Sequence, residues 1–172
     1  MANPSEKSIG KGMIIVAWLL LLGLLTLYFN DLLDKQNNPN QNLQSRVDQQ
    51  GVREIRLLQN RGGHYVAPGE INHYEVVFLL DTGATTISIP EAVADRIGLK
   101  RGIPVRVNTA NGTIEVYTTR LQVVTMGDIQ INNVSATINP YMQGDDILMG
   151  MNVLKNLELI QRDNSLTIRQ YP

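Results

Sequence analysis

Seventeen consecutive residues without a charge, from Met13 to Phe29, constrain this 172-residue chain more than any other feature. As a helix rising about 1.5 Å per residue, the run spans roughly 26 Å, close to the thickness of the hydrocarbon core of a bilayer. A helix satisfies its own backbone hydrogen bonds, which lipid cannot do. Tyr28 and Phe29 stand at one end, where interfacial aromatic residues are favoured. We therefore predict a transmembrane helix over residues 13–29.

A cleaved signal peptide is the main alternative to an anchor. The run is long for the apolar region of a signal peptide, and no small-x-small cleavage site follows Phe29. A buried core helix is disfavoured because no apolar periodicity separates one face of the run from another. We expect an uncleaved, single-pass membrane anchor.

Flanking charges predict the orientation of this anchor. Lys7 and Lys11 precede the run against one acid, whereas two acids closely follow it. Positive residues favour the cytoplasmic side of a membrane. Residues 1–12 are therefore expected to be a cytoplasmic tail. The remainder after Phe29 is expected to be extracytoplasmic, facing the periplasm if the source is a Gram-negative bacterium.

Residues 30–50 form a polar segment rich in Asn and Gln, with Pro39 in its middle. Such a segment buries little apolar surface, so we predict a flexible linker. Leu32 and Leu33 are apolar enough to continue the anchor helix into the interface. An exposed, flexible linker is also an expected site of self-cleavage.

Residues 51–172 show short apolar runs separated by turn residues, which predicts a compact, mostly β domain. Two short helices are expected, Pro90–Ile97 and Asn152–Leu157. In the first, Pro90 suits the opening helical position and Gly98 suits the stop. Turns are expected at Asn72-His73, Ala110-Asn111-Gly112, Gly127-Asp128, Asn132-Asn133 and Asp163-Asn164-Ser165.

Composition excludes several classes of function. The chain has no cysteine, so disulfides, zinc–thiolate sites, iron–sulfur clusters and thiol catalysis are excluded. Fifteen basic residues against 16 acidic ones provide no excess positive charge for nucleic acid, which is not an expected partner. His64 and His73 could face each other across one predicted hairpin, but a single His pair is a weak indication of metal. No metal or cofactor is expected.

One motif contains residues that could act in catalysis, and it directly follows the apolar run Val76–Leu80. That run suits a strand buried on both faces, and it leads directly into Asp81, Thr82, Gly83 and Ala84. A carboxylate at the end of a buried strand is costly unless it is paired or used. Gly83 permits a tight turn, and Thr82 supplies a hydroxyl to lock it. A lone Asp-Thr-Gly could also be an ordinary hairpin turn, so its context decides.

Two downstream elements supply that context. Ile147–Asn152 is an apolar strand that runs into glycine and then into a short helix. Gly150 would let this strand pack tightly beneath the Asp81 loop. Between these elements lies the hairpin Asn108–Tyr117, a candidate lid over the loop. Its tip is formed by Ala110, Asn111 and Gly112.

This order of parts resembles that of the retropepsin-like (retroviral-type) aspartic proteases, over Gly51 to Leu166. With its N-terminal span, the chain looks most like the bacterial membrane-anchored members. The resemblance implies a closed β-barrel, which is one half of an acid protease. The matching residues are Asp81, Thr82, Gly83 and Ala84 in the catalytic loop, Ala110, Asn111 and Gly112 at the flap tip, and Leu148, Met149, Gly150 and Asn152 in the second signature.

The resemblance implies hydrolysis of peptide bonds by a water molecule held between two aspartates. Carboxyls about 3 Å apart cannot both ionise, so they share one proton. The chain has a single Asp-Thr-Gly, so the second carboxyl must come from Asp81 of another copy across a two-fold axis. We therefore expect a homodimeric aspartic endopeptidase acting on a peptide or protein. Thr82 would bond across the axis, and apolar residues near Ala84 and Leu148–Gly150 would line the subsites.

Two positions depart from the retroviral pattern. The acid usually found two residues after the loop glycine is Thr85 here, and the Arg after the second-signature glycine is Met151. Both partners of that ion pair are absent together, so no orphan charge is left buried. The dimer must be held another way, and the C-terminal hairpin is a candidate. The alternative function is a catalytically inactive, membrane-tethered peptide-binding module of the same fold.

Overall fold

The computed structural model describes residues 4–109 and 112–172 and divides into two units after Gln36. The first unit is formed by helix α1, Pro4–Asn37, whose last residue belongs to the second unit; the helix continues past Leu32 and Leu33 as expected. Its apolar side chains are exposed along the segment Gly12–Asn37, which is long and apolar enough to cross a membrane. A signal sequence shares this length and composition, so the helix is a candidate span.

The second unit is mostly β, as the sequence predicts. Short apolar runs alternate with polar turns, and each run has become a strand. Its elements are β1 Ser45–Val47, β2 Arg53–Leu58, β3 Tyr65–Ile71, β4 Tyr74–Leu80, β5 Ile87–Pro90, α2 Glu91–Arg96, β6 Pro104–Thr109, β7 Gly112–Met126, β8 Ile129–Asn139, β9 Asp146–Met149, α3 Met151–Leu154, β10 Glu158–Arg162 and β11 Ser165–Gln170.

The larger sheet is closed into a barrel. Its strand order is β3-β4-β9-β5-β8-β7-β6, and a further pairing of β3 with β7 joins Ile71 to Val124. The barrel interior holds fully buried apolar side chains from several strands, among them Phe78, Ile89 and Ile138. This arrangement confirms the expected closed β-barrel.

The smaller sheet has the strand order β1-β2-β11-β10. Ile55, Leu57 and Ile168 lie on its buried face and belong to the same apolar cluster as the barrel interior. The two C-terminal strands form the hairpin predicted around Asp163, which adopts a φ of 52°. The N-terminal strand β1 forms one edge of this sheet, and β10 forms the other.

Local turn chemistry accounts for several of the expected turns and fails at one of them. Asn72 and His73 both adopt positive φ in the β3–β4 hairpin, as predicted. Asn133 also has a positive φ of 59°, but the predicted turn at Asn132-Asn133 is wrong. Strand β8 passes through this point and keeps one register with β7 on both sides of it. Continuous pairing with a long neighbouring strand outweighs the local turn preference there.

Both short helices differ in their limits from the prediction. Pro90 is the last residue of β5 and caps α2, rather than opening it, because its ψ of 139° is extended. Gly98 follows the helix with a φ of +71°, as expected of a stop. Helix α3 spans only Met151–Leu154, because it begins directly at the Gly150 carbonyl, which accepts from the N–H groups of Val153 and Leu154.

The predicted flexible linker over residues 30–50 is largely structured, which corrects that expectation. Its first part belongs to α1, and its last part contains β1. Between them, Asn40 is only 6% exposed. Its Nδ2 donates to the carbonyls of Leu58 (2.9 Å) and Val66 (2.7 Å), and its Oδ1 accepts from the N–H of Leu58 (2.7 Å). A polar sequence therefore docks here by satisfying backbone groups instead of burying apolar surface.

Candidate active site

Asp81 follows the end of β4, in which Val76 and Phe78 are buried and the other residues are partly or fully exposed, so the strand is not buried on both faces as predicted. Its N–H donates to the carbonyl of Met149 on β9 (3.1 Å), so the start of the loop is tied to the neighbouring strand. Its Oδ1 accepts from the N–H of Gly83 (2.8 Å), and its carbonyl accepts from the N–H of Ala84 (3.2 Å). These bonds wrap the loop around a half-buried carboxylate and hold it at a fixed position.

Strand β9 lies between β4 and β5 and passes directly beneath this loop. A Cβ on Gly150 would lie 2.5 Å from the carbonyl oxygen of Thr86 and 2.7 Å from that of Ala84. Only glycine permits this approach, as the sequence predicts. The chain then bonds back to the loop, because the N–H of Met151 donates to the carbonyl of Ala84 at 2.8 Å.

The amide of Asn152 connects three elements next to the loop. Its Oδ1 accepts from the N–H of Ile87 at the start of β5 (3.1 Å), and its Nδ2 donates to the carbonyl of Ser135 on β8 (2.7 Å). Its own N–H donates to the carbonyl of Thr85 (3.0 Å). The two segments after Asp81 and after Gly150 are thus held together by the backbone and one side chain, without the ion pair typical of the retroviral pattern.

An open groove of about 1190 Å³ runs past Asp81. Ala84, Ser88 and Leu148 line it close to the loop, and Ala84 and Leu148 are among the subsite residues that the resemblance implies. Met149 is buried instead and faces the core. The opposite wall consists of apolar side chains of the β6–β7 hairpin, namely Val105, Val107 and Ile114. Lys100, Arg101 and Arg120 also line the groove, which therefore combines the Asp81 carboxylate with a partly apolar and partly basic lining.

The β6–β7 hairpin is the predicted lid. It pairs as far as Thr109 and Gly112, and Thr113 Oγ1 donates to Asn108 Oδ1 at 2.8 Å. Gly112 is exposed with a φ of +112°. The other two predicted tip residues, Ala110 and Asn111, lie outside the described residues.

Some groove residues were missed by sequence reasoning. Ser135, Ala136 and Thr137 of β8 line the groove because β8 runs parallel to β5. That pairing joins segments almost 50 positions apart, and no local sequence pattern predicts it. The alternation of Val105 and Val107 about an exposed Arg106 does carry a signal, since side chains at every second position share a face.

The weaker site considered from sequence, the pair His64 and His73, does not assemble. His64 and His73 cannot face each other, because His64 precedes β3, which begins at Tyr65 opposite Leu80, whereas His73 sits in the turn at the other end. Among residues 4–109 and 112–172, no group of three potential metal ligands comes together. Asp145 pairs with Arg96 at 3.2 Å. Desolvation, followed by the charge of Asp145, raises the pKa of Asp146.

Comparison with known proteins identifies the family. The family model described as "gag-polyprotein putative aspartyl protease" matches residues 67–156, more than half of the chain, and this stretch contains both the Asp81 loop and the Gly150 strand. A curated relative, "Uncharacterized protein in cobV 5'region" from Sinorhizobium sp, is 32% identical over 127 residues. The match covers 72% of this chain and 54% of that protein, so the chain spans about half the length of this relative.

A solved structure agrees with the fold described above. The crystal structure of a retropepsin-like aspartic protease from Rickettsia conorii aligns with a TM-score of 0.56 and 22% sequence identity. The alignment covers 74% of this chain and 94% of that chain. At this identity the likeness establishes the fold. Taken with the family match over the loop and its bracing strand, it means that the chain belongs to the retropepsin-like gag-polyprotein putative aspartyl protease family.

Proposed function

We propose that this chain is a membrane-anchored aspartic endopeptidase that works as a homodimer. The observation that carries the proposal is the Asp81 loop, which bonds to β9 through Met149 and opens onto a groove of about 1190 Å³. Fixing a carboxylate in a partly buried position costs free energy, and a simple hairpin turn would not require it. This favours a functional role for Asp81.

In this proposal two Asp81 carboxyls, one from each subunit, hold the attacking water. Two such groups a few ångströms apart share one proton, because a second negative charge at that distance is strongly disfavoured. The ionised carboxyl takes a proton from water while the protonated one donates to the scissile carbonyl. Gly83 and Ala84 shape the loop, and Thr82, exposed at its turn, is available for a bond to the partner's loop.

The substrate is proposed to be an extended peptide lying in the groove. Ala84 and Leu148 on one side and Val105 and Ile114 on the other would contact apolar side chains next to the scissile bond. The hairpin tip, Ala110 to Gly112, is proposed to close over the peptide and exclude water other than the attacking molecule. Thr85 and Met151 replace a charged pair, so the dimer is held by other contacts.

The apolar segment Gly12–Asn37 is proposed to anchor the chain, with the protease unit outside the cytoplasm. Tethering two copies to one membrane raises their effective concentration and favours the dimer that the site requires. Self-processing in the segment between α1 and β2 is part of the proposal. A blot of cells expressing wild type or Asp81→Ala tests it, and identical banding in both would argue against self-cleavage.

The central experiment measures cleavage of a peptide library by the full chain in detergent micelles. Wild type is compared with Asp81→Asn and with Asp163→Asn, a matched control in the exposed turn between β10 and β11. Cleavage by wild type and by the control, together with its loss in Asp81→Asn, is the expected result. Equal cleavage by wild type and Asp81→Asn would contradict the proposed mechanism.

The same preparation distinguishes the enzyme from an inactive peptide-binding module. An inhibitor of the pepstatin type should block cleavage by competing for the paired carboxyls. If a verified dimer binds peptides but cleaves none between acidic and neutral pH, the binding module is the correct interpretation.

A further inference from the structure

The groove past Asp81 has an uneven distribution of charge. Among the described residues that line it, Asp81 is the only acid, whereas Lys100, Arg101 and Arg120 are basic. The first two basic residues come from the segment after α2, and the third belongs to β7. The lining therefore carries a net positive charge even when Asp81 is ionised.

The charge of Arg101 is compensated within the chain. Its guanidinium pairs with two carboxylates of α2, those of Glu91 at 2.8 Å and Asp95 at 3.6 Å. It also lies over the ring of Tyr117 on β7, 5.5 Å from the ring centroid. These contacts fix the segment after α2 against the sheet, so we assign Arg101 a structural role.

Lys100 and Arg120 differ from Arg101 because their charges are not compensated. Over residues 4–109 and 112–172, neither side chain forms an ion pair with a carboxylate. Arg120 Nε donates to Oδ1 of Asn133, which is a neutral acceptor. Both basic residues are exposed to solvent. Each is therefore available to an anionic group that enters the groove.

Hydrogen bonds bring the backbones of these two residues together. The segment after α2 docks on β7, because the N–H of Gly102 donates to the carbonyl of Thr118 at 2.6 Å. Thr119 Oγ1 donates to the carbonyl of Lys100 at 2.9 Å. Thr119 directly precedes Arg120 in the chain. Two positively charged side chains are thus attached to adjoining backbone at one place in the groove.

The sheet topology relates this place to the Asp81 loop. Ile87, at the start of β5, pairs with Ala136 on β8, and Arg120 on β7 pairs with the preceding Ser135. Two strand spacings, about 10 Å along the sheet, therefore separate Arg120 from the end of the loop segment. An extended peptide that crosses these strands advances about 3.3 Å per residue, so the separation corresponds to roughly three peptide residues.

We infer that Lys100 and Arg120 form a subsite for an acidic side chain, so that the preferred substrate is a peptide with Asp or Glu about three residues from the scissile bond. The inference rests on the proposed function, for which it names the substrate class. In the proposed homodimer each subunit contributes one such subsite, on opposite sides of the scissile bond. The competing explanation is that both cations are merely solvated and select nothing.

Paired peptides test the subsite. The two peptides of each pair differ only by Glu or Gln at one position, and that position is scanned along both sides of the cleaved bond. The full chain in micelles is assayed for kcat/KM at about pH 6, where a glutamate of the peptide is ionised. At the selected positions wild type should prefer Glu by on the order of tenfold, since one exposed ion pair contributes up to about fivefold and two cations act together. High salt should reduce this preference by screening.

Variants of the two cations assign the preference to them. Lys100→Gln and Arg120→Gln should each reduce the preference for Glu, and the double variant should abolish it. Lys100→Glu should shift the preference toward a Lys peptide. Arg106→Gln is the matched control and should keep the wild-type preference, because Arg106 is an exposed arginine of β6 that does not line the groove. The ratio for two peptides in one preparation does not depend on the folded fraction, so a folding defect cannot imitate the result.

These readouts separate the subsite from the proposed function. If cleavage depends on Asp81 but Glu and Gln peptides are cleaved equally at every position, or if the double variant keeps the preference, the subsite is overturned and the protease assignment stays intact. If wild type cleaves no peptide, its binding of the same peptides is measured by fluorescence anisotropy. A preference for Glu that Lys100→Gln weakens would then support the subsite and count against the protease, whereas equal binding would overturn the subsite.

Discussion

At the scale of single residues, glycine at position 150 is as important to the Asp81 loop as the loop's own residues. The strand that carries Gly150 passes so close beneath the loop that any β-carbon would overlap backbone oxygens, which cannot rotate away as a side chain can. The distance between the Asp81 loop and β9 therefore depends on Gly150, which has no functional group that could take part in catalysis.

Gly150→Ala should lower the free energy of unfolding and also abolish the proposed peptide cleavage. Insertion of one methyl group into a tightly packed site costs typically about 1–3 kcal/mol, and the fixed backbone contacts place this site at the upper end. Urea denaturation of the full chain measures the loss. Gly62→Ala is the matched control, because its new Cβ would approach only side chains, those of His64 at 3.3 Å and Asn60 at 3.4 Å. Equal stability of the two variants would mean that the loop tolerates displacement.

Asn40 helps to hold the segment after α1 against strands β2 and β3. Replacement by Ala leaves a buried carbonyl of Val66 and an N–H of Leu58 without their bonds, and each unsatisfied buried group costs about 1–3 kcal/mol. Asn40→Ala should therefore lower the free energy of unfolding in thermal or urea denaturation. The exposed Asn42→Ala is the control and should change it little. A stability equal to that of wild type would show that the docking is dispensable.

Gly150 and Asn40 differ in whether their roles can be predicted from the sequence. Asp81, Thr82 and Gly83 are adjacent, and Gly150 follows an apolar run, so their roles can be predicted from local pattern. Asn40 stands in a segment of similar polar residues, and its partners on β2 and β3 are distant in the chain. Its burial comes from bonds to backbone groups that no local pattern identifies.

At the scale of elements, the smaller sheet is fastened on one face by a charge network. Glu54 on β2 contacts Arg46 on β1 and Arg169 on β11, each at 2.6 Å, and Arg169 also reaches Glu158 on β10 (3.4 Å). The hydrogen bond from Arg169 outweighs the effect of burial and, with the charge of Arg46, lowers the pKa of Glu54. All four strands of the sheet are linked by these four side chains.

This network makes the sheet sensitive to acid. Because the pKa of Glu54 is lower in the folded chain than its ordinary value of 4.5, its ionised form stabilises the fold above that pH. The contribution is lost as pH falls below 4.5 and through the lowered pKa of the folded state. The difference in stability between wild type and Glu54→Gln should therefore be largest near neutral pH and shrink in acid. Urea titrations at several pH values measure it, with Glu115→Gln as an exposed control.

A constant difference between wild type and Glu54→Gln across that range would contradict this linkage. The result also bears on function, since an aspartic protease that works in acid would do so with a loosened β1. Strand β1 is exposed along its whole length. Besides its pairing with β2, it is held by Ser45 Oγ, which donates to Asp128 at 2.7 Å.

Strands and hairpins could be predicted from the sequence only where the residues that determine them are close together in the chain. Hairpins at Asn72-His73 and Gly127-Asp128 follow from turn residues and adjacent strands. The parallel pairing of β5 with β8, and the insertion of β9 between β4 and β5, join segments far apart in the chain. Short β1 was missed because three exposed residues leave no apolar alternation.

At the scale of the whole molecule, the proposed anchor predicts where the protein is found. If Gly12–Asn37 spans the membrane uncleaved, the full chain should stay with membranes after a carbonate or high-salt wash and should require detergent for release. The measurement is fractionation followed by mass determination of the N-terminal peptide. A version whose span carries Leu22→Arg should partition less well, because a charged residue near the middle of a span opposes insertion. A mature protein that begins after the apolar segment would establish a signal sequence instead.

The position of β9 within the barrel also has a consequence for synthesis on the ribosome. Asp81 is translated in the first half of the chain, but the strand that fixes its loop ends at Met149, and the glycine beneath it comes next. Such distant pairings form only after the intervening chain has been made and brought together. A nascent chain that has exposed Asp81 therefore still lacks the support of its loop. The chain would therefore acquire the supported geometry of its Asp81 loop only near the end of translation.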